Sequence, residues 1–147
     1  MIKKIAVTVA AVIEQNHRFL LVEERSNEHI VFNQPAGHLE PGETLLEAIT
    51  REVSEETGFS FQPVALLGFY LWTGKGANTT FLRLAFVGDA YPPNTTPILD
   101  EEIITTHWLR RKDILAKQSQ LRSPLVLRCI NDYLDGIRYP LSILKYL

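Results

Sequence analysis

Cysteine occurs once in the 147-residue sequence, at Cys129, so no internal disulfide is possible. Long apolar runs are missing too. No stretch of roughly 20 residues is both uncharged and apolar throughout, as a bilayer span requires, which excludes membrane insertion. Positive charge is not in excess: fifteen Lys and Arg against seventeen Asp and Glu leave a net charge of -2. No global positive field therefore gathers duplex nucleic acid by counterion release. The opening MIKKIAVTVAAVI places two lysines before an apolar run, but Thr8 and Glu14 interrupt the pattern and no small-residue cleavage site follows. It is read as a first strand rather than a signal peptide, and with the lone cysteine this predicts a reducing, cytoplasmic location. Repeats, linkers and low-complexity segments are absent. What is present is 46% hydrophobic residues in a chain long enough for one core and too short for two ordinary domains. One domain over residues 1–147 is expected.

Hydrophobic periodicity divides the chain. Ile5 to Ile13 and Arg18 to Glu23, separated by Glu14-Gln15-Asn16-His17, predict a β-hairpin. From Phe32 to Gly42 the prolines Pro35 and Pro41 and the glycines Gly37 and Gly42 forbid a regular helix and favour a structured loop. A helix then follows over about Leu45 to Thr57: Thr44 and Glu47 have capping-box spacing, Leu46, Ile49 and Val53 recur at helical intervals, and Gly58 suits a left-handed cap. Val64 to Thr73 and Thr79 to Gly88 predict two strands around a turn containing Gly74 and Gly76. Pro92, Pro93 and Pro97 mark a loop, Ile103 to Leu109 a further strand, and Arg111 to Lys117 a short helix. Ser123-Pro124 predicts the start of a last helix, whose stripe is Leu125, Cys129, Ile130, Tyr133 and Leu134, ending near Gly136. Strands mixed with two substantial helices imply an α/β or α+β sandwich, with helices covering a mixed sheet.

The chemistry is concentrated between Gly37 and Phe59. At about 100° per residue, Glu52, Glu55 and Glu56 fall on one arc of the predicted helix, beside the apolar arc of Leu46, Ile49 and Val53. Coulomb's law sets their repulsion at roughly 3 kcal/mol per pair at 5 to 6 Å and an effective dielectric of 20. They also lie toward the helix C-terminus, where the macrodipole disfavours anions. Glutamate is a good helix former, and an isolated pair would be an ordinary solvated face. Three together against the buried stripe break two local rules, and a hard divalent cation bound by carboxylate oxygens relieves both penalties.

The same stretch satisfies a longer pattern: Gly37, five residues, Glu43, seven residues, Arg51-Glu52-Val53, any residue, Glu55-Glu56, any residue, Gly58-Phe59. These nine positions are a complete Nudix box, and the chain resembles the Nudix hydrolases. That resemblance implies an alpha/beta/alpha sandwich with a mixed sheet and a loop-helix-loop catalytic motif. It implies that Glu52, Glu55 and Glu56 bind Mg²⁺, with Mn²⁺ as substitute. Glu43 would support the metal shell, Arg51 would orient a catalytic glutamate by ion pairing, and Gly37 and Gly58 would be conformational. Many members also use an acidic residue outside the box, ahead of a strand that carries a tryptophan. Here Asp100-Glu101-Glu102 precedes Trp108, which makes Glu102 the first candidate for general base or further metal ligand and Glu101 the second, against the reading of a solvated acidic turn.

Beyond the box, FNQPAGHLE at Phe32 to Glu40, LRSPLV at Leu121 to Val126 and RYPL at Arg138 to Leu141 resemble the NudJ-type bacterial phosphatases of that family, although Phe32 stands where a tryptophan is expected. This implies a small-molecule substrate: nucleoside 5'-tri- or diphosphates and hydroxymethylpyrimidine pyrophosphate or thiamine pyrophosphate, with release of inorganic phosphate. Other Nudix specificities remain open, among them ADP-ribose, nucleotide sugars, dinucleoside polyphosphates and RNA 5' ends. So does a non-catalytic module that senses a nucleotide, although retention of every box carboxylate argues against it. Arg122, next to the last helix's N-terminus, is a candidate phosphate ligand, weighed against an ordinary solvated arginine. Of Phe69, Tyr70, Trp72 and Phe81, Trp72 beside the glycine turn is the candidate for stacking on a heterocycle. His17, His29, His38, His107 and Cys129 take no role. The chain is expected as a monomer or homodimer.

Overall fold

In the computed structural model, which describes residues 3–147, the C-terminal half of the first strand is buried on both sides. In β1 (Lys4–Val12), Val9 and Ala11 pack into one apolar cluster with Ile49 and Val53, whereas Val12 packs into a second with Cys129 and Ile130. Alternation of side chains along a strand sends successive residues to opposite faces, so one strand feeds two cores. In β7 (Thr79–Tyr91), which pairs with β1 in parallel from Lys4↔Thr79 to Val12↔Val87, Leu84 and Phe86 join the first cluster and Ala85 and Val87 the second. The helix α1 (Leu45–Thr57) covers the first face, and α3 (Leu125–Leu134) covers the second with Ile114 of α2 (Arg111–Ala116).

The covered sheet runs β5-β1-β7-β6, where β5 is Ala36–His38 and β6 is Ser60–Thr73; only the central pair is parallel. A second sheet is organised on β3 (Arg18–Ser26), which pairs antiparallel with β2 (Glu14–Gln15), β4 (His29–Asn33) and β8 (Ile103–Leu109). The fold is thus a mixed α+β sandwich, as expected. Among the described residues no helix is long and apolar enough to cross a membrane.

The predicted first hairpin closes only at its tip. Glu14 pairs with Phe19 and Gln15 with Arg18 around Asn16 and His17, whose φ values are 51° and 63°. Most of Ile5 to Ile13 instead joins the other sheet, because residues Val9 to Val12 are apolar on both sides and need a helix over each face. The segment from Phe32 to Gly42 forms no helix, but it is more regular than a loop. β4 ends at Asn33, Pro35 accepts the Ala11 N–H at 3.0 Å through its carbonyl, and β5 pairs with β1. At the last helix, Pro124 already has helical dihedrals, and the Ser123 hydroxyl accepts the Leu125 N–H at 3.2 Å. Leu125, Cys129 and Ile130 are buried as the stripe predicts; Leu134, in the helix's last turn, is half exposed.

Candidate functional site

Both ends of α1 are fixed by local chemistry, and this sets the phase of its acidic face. At the start, the Thr44 hydroxyl accepts from the Glu47 N–H (3.1 Å) while the Glu47 carboxylate accepts from the Thr44 N–H (2.8 Å), a complete capping box. At the end, Gly58 has φ 77° and donates its N–H to Ser54 C=O at 2.8 Å. With Ala48, Ile49 and Val53 fully buried, Glu52 and Glu56 lie along the flank of the buried stripe and are themselves almost enclosed. Glu55 lies nearer solvent.

Arg51 gathers these carboxylates. Its Nη1 donates to Glu52 Oε1 (2.7 Å) and Glu55 Oε2 (3.2 Å), and its Nη2 to His38 C=O (3.0 Å). Its Nε and Nη2 make a bidentate pair with Glu43 at 3.1 and 2.8 Å. Glu43 also accepts the Glu40 N–H, so both of its oxygens are engaged, and the Arg51 hydrogen bonds followed by that N–H hold its carboxyl below the usual range. Glu43 therefore reaches the cluster through Arg51 and stands outside the group of converging ligand atoms. Gly37 has no positive φ; its role is spatial, since a Cβ there would lie 2.1 Å from the Glu52 carboxylate carbon. Gly58 is conformational as expected, and a Cβ there would also meet Pro97.

Carboxylate oxygens of Glu52, Glu55 and Asp100 all lie within 4.8 Å of one another. Asp100 is held there by its N–H, which donates to Glu55 C=O at 3.0 Å. Glu56 points deeper and accepts the Ala36 N–H of β5 at 2.9 Å. Burial raises its pKa to about 9, with the charges of Glu24, Glu52 and Asp100 adding to the shift. Glu52 is raised as well, by burial first and by Glu55 and Asp100, against the opposing pull of Arg51. A dense set of hard oxygen donors, two of which, Glu52 and Glu56, are disfavoured as anions in the bare protein, suits a divalent cation of the magnesium or manganese type.

Glu52, Glu55 and Glu56 open onto a cleft of about 870 Å³ lined by residues of both sheets. Glu102 lines it; Glu101 does not. Arg122, also in the lining, pairs with Glu24, a buried carboxylate on β3 that the sequence reading missed because only sheet pairing brings it to the site. Of the four aromatics weighed, Trp72 lines the cleft and stacks on Phe81, with ring centroids 6.0 Å apart. Tyr70 donates instead to Asp132 (2.7 Å), and Phe69 is exposed. Also unforeseen is Arg83 in the cleft floor: its Nη1 donates to Gln34 Oε1 (2.9 Å) and its Nη2 to Asn33 Oδ1 (3.1 Å). His107 pairs with Glu23 away from the cleft lining, and Cys129 is buried.

Comparison with known proteins agrees with this geometry. The NUDIX domain family model matches residues 3–129. The chain is 44% identical over 138 residues to "Phosphatase NudJ" of Shigella boydii serotype 4 (strain Sb227), covering 94% of this chain and 89% of that protein. Against "Phosphatase NudJ" of Escherichia coli (strain K12) the identity is 43% with the same coverage. Among solved structures, a NUDIX hydrolase from Nitrosomonas europaea superposes with a TM-score of 0.92 at 51% identity, covering 97% of each chain.

Proposed function

Because this chain belongs to the Nudix hydrolase family, we propose that it cleaves phosphate anhydride bonds of nucleoside 5'-tri- and diphosphates, and of hydroxymethylpyrimidine pyrophosphate or thiamine pyrophosphate, releasing inorganic phosphate. The observation that carries this reading is the carboxylate cluster of Glu52, Glu55 and Asp100, two of whose members line a cleft with Arg122 and the Trp72–Phe81 stack. Similarity to the NudJ phosphatases along nearly the whole chain supports inorganic phosphate as a product.

In this reading Glu52, Glu55, Glu56 and Asp100 hold Mg²⁺, or Mn²⁺ in its place. When bound, the cation lowers the pKa of a water and offsets charge on the phosphoryl group during in-line attack. Arg51 fixes the orientation of Glu52 and Glu55, and Glu43 fixes Arg51, acting as a positioning residue. Arg122, half exposed and steered by Glu24, binds a substrate phosphate. Glu102 takes the proton of the attacking water in preference to Glu101, a choice supported by its position in the cleft lining. Trp72 stacks on the heterocycle. The protein works as a single domain over residues 1–147 in the cytoplasm, as a monomer or homodimer.

Phosphate and pyrophosphate release, scored separately on GTP, GDP, ADP-ribose, a dinucleoside tetraphosphate and hydroxymethylpyrimidine pyrophosphate, tests the substrate. Chelator-sensitive inorganic phosphate from GTP and GDP is the expected result. Turnover confined to ADP-ribose or the dinucleotide would replace the proposed specificity by another within the family.

Gly37→Ala tests the geometry. The added methyl must displace the Glu52 carboxylate, and an error of about 1 Å at a reacting centre costs up to roughly a hundredfold in rate. A large fall in kcat/KM with melting shifted by only a few degrees is expected. Unchanged kinetics would show that the position of Glu52 does not matter to the reaction.

A further inference from the structure

Arg83 is a buried cation that has no counter-anion among the described residues. It is 5% exposed, and among the described residues no carboxylate pairs with it. An enclosed guanidinium is costly unless acceptors surround it. Two acceptors are amide oxygens, and the chemistry of a donor-only group determines how both amides face. Gln34 is clamped between Arg83 and the Val126 carbonyl, which accepts its Nε2 at 2.8 Å. Asn33 must turn its Oδ1 toward Arg83, which leaves its NH₂ as the outward group. Among the described residues that nitrogen has no acceptor, yet no fully buried side-chain polar atom lacks a partner. Since Asn33 lines the cleft and is only 6% exposed, its two N–H donors face the cleft.

The register of the sheet says what these donors would meet. Arg83 pairs with Thr8 on β1 and Tyr70 on β6, and Phe81 pairs with Trp72, so Arg83, Phe81 and Trp72 share one face. Gly37, beneath Glu52, and Ala36, the partner of Glu56, lie on β5, three strands away from β6. At about 4.8 Å per strand Trp72 stands roughly 14 Å, and Phe81 on β7 roughly 10 Å, from the carboxylate end. A substrate with phosphates at the carboxylates and its ring against Trp72 brings the edge of that ring to Arg83 and Asn33.

We infer that Asn33, held by Arg83, selects the heterocycle by its carbonyl edge, favouring oxo bases over amino bases. This rests on the nucleotide reading above and names its specificity. Guanine and uracil present a carbonyl acceptor where adenine and cytosine present an amino donor. An amino group facing these donors leaves both sides unpaired, whereas a carbonyl satisfies them.

The test is the ratio of kcat/KM for GTP over ATP and for UTP over CTP, in the wild type and in Asn33→Asp. The substitution keeps the shape and the acceptor for Arg83, but turns an acceptor toward the cleft. The wild-type ratios are expected at about tenfold or more, within the range of one well-formed base contact. In Asn33→Asp they should fall to about one or invert, and a ratio cancels any general effect of the added charge on phosphate binding. Should that variant fold poorly by thermal melting, Asn33→Ala should still bring both ratios toward one. Equal losses on all four nucleotides, or unchanged ratios, would overturn the inference while leaving the hydrolase reading intact. A wild type that hydrolyses none of the four would overturn both.

Discussion

Glutamine in place of Glu52 is expected to lower kcat/KM by about a thousandfold or more while leaving the protein folded. The residue is 8% exposed and its carboxylate accepts from Arg51 at 2.7 Å, and an amide oxygen can accept the same hydrogen bond. Shape is therefore retained. What disappears is one negative charge from a cluster in which Glu55 and Asp100 already repel Glu52. Loss of that charge should raise the stability of the metal-free protein slightly, because a buried anion is removed. The catalytic loss is larger. A metal centre contributes several kcal/mol of charge stabilisation in the transition state, and about 4 kcal/mol corresponds to roughly a thousandfold in rate. Steady-state kinetics, manganese titration and a melting curve on the same preparation check the prediction together. Activity within tenfold of wild type and an unchanged metal requirement would remove Glu52 from the reaction.

How far the site could be read from the sequence depends on whether its geometry is local. The helix carrying Glu52, Glu55 and Glu56 was readable to its end residues, because Thr44, Glu47 and Gly58 determine its ends within one stretch of chain. Arg51 and Glu43, eight residues apart, were readable as partners of that helix, though their bidentate pair leaves Glu43 no oxygen free. Gly37 was recognised for the wrong physical reason: its backbone is unstrained, and the empty space over its Cα is what the Glu52 carboxylate occupies. Glu24, Asn33 and Arg83 had no local signal. A glutamate in a strand, an asparagine before a loop and an arginine among apolar neighbours are ordinary in sequence. They meet only through the β3–β4 and β1–β7 registers and the packing of α3 over the sheet. Asp100 lay in the acidic turn already singled out, but its convergence with Glu52 and Glu55 depends on the Asp100 N–H bond to Glu55 C=O, a tertiary contact.

The second large effect concerns Glu56 and pH. In the bare protein, burial holds its carboxyl up to about 9, against about 4.3 for a free glutamate in an unfolded chain. Between those values the folded state binds more protons than the unfolded state, so stability falls as pH rises. The contribution is fully present below the unfolded pKa and is lost on passing through the folded one. Each pH unit in that window costs up to about 1.4 kcal/mol, and Glu52, raised in the same direction, adds to the slope. With chelator present, the melting temperature should drop by several degrees between pH 6 and pH 8, and magnesium or manganese should restore more of it at the higher pH. Metal and proton compete for the same carboxylates. Glu56→Gln separates stability from function at this position: the chelated variant should melt higher than wild type at pH 8 with a flatter pH dependence. Its turnover with metal should fall by orders of magnitude. A chelated variant with the wild-type slope would show that the buried carboxyl at position 56 is not what titrates. Near-normal turnover would instead remove Glu56 from the metal site and leave its burial a matter of packing against Ala36 alone.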